Sequence, residues 1–332
     1  MDVIMQCILC KASSLEVLKL PKYNNLVTGD RKVFHGDSSR VKMVICKECG
    51  HLQHLQDRNY KEEIDQIYYN YAPNDVKTFN ETDKSCIPRL KAVCQKVCKA
   101  VELPRKGNML DIGCACGEAL RYFHELKPEW HLFGVDTGEH FRDDVLRRDQ
   151  VKGFYSNIYE VKASKIKFDF IMINYVLGVC DNIMDILGSL YELLNEQGIV
   201  FVIETDFVVQ PYQLNIAEQI SFFHRDSLAP VLTSVGLEII DTDFQHEEKE
   251  IWAFARKGIS KESSNIYDIN KHKYNKCLDY LNRVGAVVEN VVMENKNSVV
   301  GVFGISNAGV WISEIICKTS MGGGENKIFF CR

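Results

Sequence analysis

Between residues 108 and 257, short apolar runs alternate with amphipathic stretches. The runs at 109–112, 131–135, 168–174 and 199–203 are nearly continuous in hydrophobicity, as in strands buried on both faces. Residues 118–126 and 183–194 instead repeat their apolar positions at helical spacing. A helix over 227–235, closed by Gly236, precedes strands around 237–242 and 251–256. No full helix fits between those last two strands, so they suit an antiparallel hairpin at a sheet edge. The alternation predicts an α/β fold, a mostly parallel sheet with helices on both faces.

The flanks read differently. Residues 1–60 are irregular, with short apolar runs at 15–20 and 41–45. From 60 to 103 the pattern turns helical, with Ile87, Leu90, Val93 and Val97 on one face, which predicts a helical connector or lid. Residues 258–265 are polar and turn-rich. A helix over 267–294, a strand over 298–303, a glycine-bearing turn and a helix to Cys317 follow. The expected domains are thus 1–60, 61–103, 104–257 and 258–332.

Composition excludes several classes. The formal net charge is −5 and no Lys/Arg run stands out, so nucleic acid is not an expected partner. No apolar run reaches the roughly 18–20 residues of a membrane helix, and the N-terminus has no signal-peptide pattern. A cytoplasmic location is expected. In that compartment 13 cysteines point to metal ligands and free thiols rather than disulfides.

Cys7-Ile8-Leu9-Cys10 and Cys46-Lys47-Glu48-Cys49 are two pairs of matching spacing. Each turn sets two thiolates on one side of a tight loop, and two such turns complete a tetrahedral four-sulfur site for structural zinc. The metal would supply folding energy that so small a region lacks. The plainer alternative is four incidental thiols.

Leu110-Asp111-Ile112-Gly113-Cys114-Ala115-Cys116-Gly117 ends a strand and opens a helix. Gly113 and Gly117 permit a sharp bend and close approach of backbone to a ligand. Cys114 and Cys116 read as small loop fillers. Asp136 closes the next strand, where an acid can accept two ribose hydroxyls. The alternative for Asp111 and Asp136 is a pair of helix-capping carboxylates. With Asp111 before the first glycine, the run resembles the D-x-G-x-x-x-G motif of class I S-adenosylmethionine (SAM)-dependent methyltransferases. That resemblance implies a seven-stranded Rossmann-like sheet and a SAM site lined by Asp111, Gly113, Cys114, Gly117 and Asp136. It adds Asn157, for adenine or as a cap, and Asn174 at the exit of the fourth strand.

The order of parts also resembles the deoxysugar C-methyltransferases, which carry an N-terminal zinc domain, a SAM domain and a C-terminal Rossmann-like domain. The likeness includes Cys49-Gly50-His51-Leu52-Gln53, Tyr68-Tyr69-Asn70-Tyr71-Ala72-Pro73, Val202-Ile203-Glu204 and Glu218-Gln219-Ile220-Ser221-Phe222-Phe223. It implies a nucleotide-linked sugar as acceptor and places Tyr69 and Tyr71 near the chemistry, or in ordinary lid packing. The family's His-Glu-His triplet falls on Ala217-Glu218-Gln219, and a further family histidine falls at Val179. Carbon methylation needs a base beside a keto group, which Ala217, Gln219 and Val179 cannot supply. Glu218 or His224 could serve an oxygen or nitrogen acceptor, His224 otherwise standing where the next helix begins. The third domain is shorter than the family's, and Met321-Gly322-Gly323-Gly324-Glu325 is compatible with a G-tract in the gene, of the kind that switches surface-glycan genes. The leading expectation is SAM-dependent methylation of an oxygen on a small-molecule glycan precursor for capsule or lipooligosaccharide. Carbon methylation of a keto-deoxysugar and a SAM-binding scaffold are the alternatives.

Overall fold

In the computed structural model, residues 6–36, 38–55, 57–69, 77–80, 85–241, 249–259, 264–295, 299–303, 306–320 and 327–331 are described. They fall into two units. One gathers Met1–Tyr71, Asp206–Phe223 and Asn265–Arg332; the other gathers Ala72–Thr205 and His224–Ser264. The expected domains were read along the chain, whereas each of these units gathers segments distant in sequence.

The second unit holds the apolar runs. They form strands β1 (Asn108–Ile112), β2 (His131–Val135), β3 (Val151–Tyr155), β4 (Phe168–Asn174), β5 (Leu194–Thr205), β6 (Leu237–Asp241) and β7 (Glu250–Lys257). Among the described residues the sheet order is β6-β7-β5-β4-β1-β2-β3. The first five strands run parallel, while β7 lies antiparallel between β5 and β6. The expected edge hairpin is present. The direction of strand progression reverses between β1 and β4, and the carboxyl ends of strands at such a switch are where open α/β sheets bind ligands.

Both sheet faces are buried. On one, Met109, Phe170, Met172, Phe201, Ile203, Trp252 and Phe254 pack with α1 (Arg89–Ala100) and α2 (Glu118–Leu126). Phe123 stacks on Phe170 at a centroid distance of 5.6 Å and meets Trp130 edge-on at 5.3 Å. On the other face Leu110, Ile171, Ile173, Val200 and Val202 are equally inaccessible. That two-sided burial is why these strands read as continuous rather than alternating hydrophobicity.

The helical connector expected over 60–103 is not one helix. Helix Arg58–Tyr69 belongs to the first unit, and a hairpin pairs Lys77–Asn80 with Ser85–Pro88 before α1 begins. Pro88 stands just ahead of α1 with extended torsions (φ −53°, ψ 132°). An interior proline removes a helical hydrogen bond and biases its predecessor away from helical torsions, so Pro88 favours a boundary here, and α1 starts directly after it.

The first unit contains a four-stranded antiparallel sheet, Leu15–Val17, Lys42–Cys46, Leu52–Leu55 and Ser221–Phe222 in that order. Helix Tyr267–Glu294 presents Tyr274, Cys277, Leu278 and Leu281, spaced for one helical face. These join Leu18, Met43, Ile45 and Leu52 from the N-terminal segment and Phe207, Leu214 and Phe222 from the central one. Trp311 of helix Asn307–Ser320 enters the same core, and its indole N–H donates to the Tyr23 carbonyl at 2.9 Å. The short N-terminal region and the C-terminal segment thus share one core, because neither carries enough apolar area alone. Strands Val299–Phe303 and Lys327–Cys331 pair in parallel across helix Asn307–Ser320, the expected strand–turn–helix unit with a further strand. The glycine run at 322–324 lies outside the described residues.

Phe123 is fully buried between two rings. Phe123→Ala is expected to cost about 3–5 kcal/mol in the second unit, read as a lowered midpoint of chemical denaturation.

Candidate functional site

The turn after β1 bends through three residues with left-handed torsions: Gly113 (φ 78°), Ala115 (φ 44°) and Gly117 (φ 74°). For Ala115 that conformation costs about 1–2 kcal/mol. Hydrogen bonds offset the cost. The amides of Gly113 and Cys114 both donate to the Val135 carbonyl, at 2.7 and 3.0 Å. The Ala115 amide donates to Asp136 Oδ2 at 2.7 Å, and the Gly138 amide to Asp136 Oδ1 at 2.8 Å. From outside the turn, Arg148 donates to the carbonyls of Gly117 (2.5 Å) and Cys116 (2.9 Å). At Gly113 a Cβ would come within 2.4 Å of Val176 Cγ2, from the segment leaving β4.

Asp111 is 2% exposed and accepts no hydrogen bond among the described residues. Burial first, and then the charge of Asp136, push its carboxyl up to about 8. Asn174 Oδ1, at the end of β4, is buried without a partner. A buried carboxyl lacking a cation and an orphaned acceptor at the switch point fit a ligand that brings N–H donors and positive charge. SAM has both, and its ribose hydroxyls can use the remaining lone pairs of Asp136.

Two residues of the expected site are used locally. Asn157 caps helix Ile158–Ser164, its Oδ1 accepting from the amides of Tyr159 and Glu160 at 3.1 Å each. Cys114 fills the space above Gly134, where a Cβ would lie 2.5 Å from its sulfur, and burial raises its thiol well above the ordinary range. It is a packing residue in the wall of the turn.

The four N-terminal cysteines come together. Their sulfurs all lie within 4.8 Å of one another, with Cys7–Cys49 at 3.6 Å and Cys10–Cys46 at 3.5 Å. A tetrahedral zinc with bonds of about 2.3 Å would space four sulfurs in that range. The two turns have the same geometry. In each, the residue after the second cysteine is left-handed (Lys11 φ 61°, Gly50 φ 78°). Its amide donates to the carbonyl of the first cysteine, at 2.9 and 2.8 Å. Four thiolates this close repel one another, and a cation among them would offset that repulsion.

Of the expected catalytic residues, Glu218 lies in the first unit, 4% exposed; Oε1 accepts the Gly29 amide at 2.5 Å and Oε2 is buried without a partner. Burial pushes its carboxyl up to about 7. His224 lies in the second unit and caps helix Arg225–Ser234, its Nδ1 accepting the Asp226 amide at 3.2 Å. That lone pair is committed to the helix. Tyr69 is the last residue of helix Arg58–Tyr69, and Tyr71 lies outside the described residues.

Sequence reading missed the supports around the turn. Arg89 donates to Glu250 Oε1 (2.7 Å) and to Tyr175 Oη (2.7 Å), while Tyr175 Oη donates to the same carboxylate oxygen at 2.7 Å. This network joins α1, the exit of β4 and the start of β7. Glu204, at the end of β5, is 2% exposed and accepts the Gly178 amide at 3.2 Å; burial pushes it up to about 8. Arg148, Arg89 and Glu250 lie far in sequence from what they hold, so no local motif announces them. No helix among the described residues is long and apolar enough to cross a membrane.

Comparison with known proteins agrees with this geometry. Residues 79–242 match the family model of a methyltransferase domain. A carboxy-S-adenosyl-L-methionine synthase of Campylobacter hominis is 25% identical over 157 residues, 45% of this chain and 67% of that protein. The solved mitomycin 7-O-methyltransferase is 13% identical with a TM-score of 0.44, over 51% of this chain and 54% of its own. Human N-acetylserotonin methyltransferase in complex with SAM is 20% identical with a TM-score of 0.41, over the same shares. The chain spans about half the length of these solved structures. Residues 79–242, with Asp111, Gly113 and Gly117 at the switch point of the sheet, are a class I SAM-dependent methyltransferase domain.

Proposed function

We propose that the chain methylates an oxygen of an activated sugar or similar glycan precursor, with a structural zinc held by Cys7, Cys10, Cys46 and Cys49. The observation that carries the methyl-transfer reading is the turn after β1, braced by Asp136, beside the buried Asp111. The sugar acceptor rests on the order of parts: paired cysteine turns, a methyltransferase domain, then a strand–helix–strand unit. It is the order in the deoxysugar C-methyltransferases.

Oxygen rather than carbon is favoured by the fate of the triplet positions. Gln219 is 5% exposed and its amide is spent, Oε1 accepting from Gln213 (2.6 Å) and Nε2 donating to the Ser221 carbonyl (2.7 Å). Ala217 has no side-chain function, and its carbonyl accepts the Tyr60 hydroxyl at 2.9 Å. When bound, SAM supplies an electrophilic methyl on a sulfonium. Asp136 would orient the ribose, Asn174 Oδ1 would take an N–H, and Asp111 would face the positive charge. An alcohol oxygen that takes the methyl would give up its proton as the carbon–sulfur bond breaks and S-adenosylhomocysteine leaves, and Glu218 is the proton acceptor we assign. A second reading, transfer of a carboxylated rather than a plain methyl group or synthesis of that donor, follows the name of the Campylobacter relative.

Methyl-labelled SAM offered with a panel of nucleotide-linked sugars tests the proposal. A labelled methyl ether on one of them is the expected product; a carbon-bound methyl or a carboxylated donor would overturn the oxygen assignment. With the true acceptor, Glu218→Gln should retain SAM binding and lower turnover about 10²-fold or more.

Asp111 makes SAM affinity pH-dependent. Its carboxyl titrates at about 8 in the free protein, and a nearby cation lowers a carboxyl by 1–3 units, to about 5–7. The complex then binds fewer protons than the free protein between those values, so affinity rises with pH. Calorimetry should find SAM binding about tenfold tighter at pH 8.5 than at pH 6, with proton release, and a flat profile in Asp111→Asn.

A further inference from the structure

The two cysteine turns are held by different parts of the chain. Gln53, fully buried on strand Leu52–Leu55, holds the first: its Oε1 accepts the Ile8 amide at 2.9 Å and its Nε2 donates to the Gln6 carbonyl at 3.1 Å. The second is held from more than two hundred residues away. Asn270 Nδ2 donates to the Gly50 carbonyl at 2.8 Å, and Asn265 Nδ2 donates to the Lys47 carbonyl at 2.8 Å. Asn270 is 1% exposed, so this bond is made out of reach of water.

The backbone approach is as close as glycine permits. A Cβ on Gly50 would lie 2.5 Å from the Tyr267 amide nitrogen and 2.6 Å from the Ile266 carbonyl carbon. The turn that carries Cys46 and Cys49 is therefore seated directly on the first turn of helix Tyr267–Glu294. Its own closing bond, the Gly50 amide to the Cys46 carbonyl at 2.8 Å, leaves the Gly50 carbonyl turned to Asn270.

We propose that Asn270 is a positioning residue for the four-cysteine metal site, so that metal binding and docking of the C-terminal helix stabilise each other. The proposal rests on the zinc reading above. Its physical basis is that a ligating turn binds metal best when its geometry is set beforehand, and partners outside the ligand shell are commonly worth 10–100-fold in affinity. Loss of the Asn270 amide would leave a buried carbonyl unsatisfied on the turn that must hold the Cys46 and Cys49 thiolates. Because coupling free energy is reciprocal, metal must hold the helix as firmly as the helix holds the metal turn.

The test uses the full-length, zinc-loaded protein. Competition against a chromophoric chelator measures zinc affinity in the natural chain, in Asn270→Ala and in Tyr274→Phe. Tyr274→Phe removes a bond from the same helix to the Lys19 carbonyl, away from the cysteines. Affinity should fall about tenfold or more in Asn270→Ala and stay unchanged in Tyr274→Phe. Hydrogen exchange on the natural chain supplies the reciprocal measurement. Stripping the metal should speed exchange of amides 267–274 at least about tenfold and leave 288–294 unaffected. Equal zinc affinity in Asn270→Ala, or exchange over 267–274 indifferent to metal, would overturn this proposal alone. A natural chain that binds no thiophilic metal would overturn the zinc reading along with it.

Discussion

Asp136 accepts the amides of Ala115 and Gly138, and so one carboxylate ties together the turns that follow β1 and β2. The turn after β1 has a non-glycine residue in left-handed torsions and would relax without that anchor. Arg148 pulls on the same turn through its carbonyls. Held by an acid on its amides and a base on its carbonyls, the backbone keeps a shape that a flexible glycine loop would occupy only part of the time. The sheet beneath supplies rigidity, since β1 and β4 are buried on both faces and aligned in parallel register.

The unit that carries the cysteines shows how a small region borrows a core. Leu18, Met43, Ile45 and Leu52 cannot enclose one another within some sixty residues. They are covered instead by Phe207, Phe222 and the long helix with Tyr274 and Leu281. Polar groups follow the same rule: Gln53, Asn265 and Asn270 satisfy amides and carbonyls of the cysteine turns, Asn270 doing so out of reach of water. The segment Asp206–Phe223 leaves the methyltransferase domain after β5 to join this core, and returns at the cap residue His224.

Elements with a strong local signature were legible in the sequence. Four of the five parallel strands, the turn Asp111–Gly117 and the paired cysteines each carry their pattern within a few residues, whereas Val151–Tyr155 has no comparable apolar run. Helix Tyr267–Glu294 was equally plain, because its periodicity is uninterrupted. The connector is not one helix: apolar spacing alone leaves out Pro88, which disfavours continuing a helix across it and stands in the hairpin before α1. His224 and Asn157 have side chains suited to chemistry and to capping alike, and only tertiary context shows that the helix takes them first. The grouping of distant segments into one unit is a different matter. A shared core between residues 18 and 311 leaves no trace in composition on either side.

The borrowed core has a consequence for synthesis. At about 5–20 residues per second, the ribosome makes Tyr267 roughly 10–40 s after the cysteine hairpins have emerged. Throughout that interval the nascent N-terminal segment shows Leu18, Met43 and Ile45 to the cell with their cover still unmade. A cation gripping four sulfurs would tie the segment into its final outline early and limit the sticky conformations it can sample. Zinc supply during translation, more than in the finished protein, would then govern how much of the chain reaches its native state.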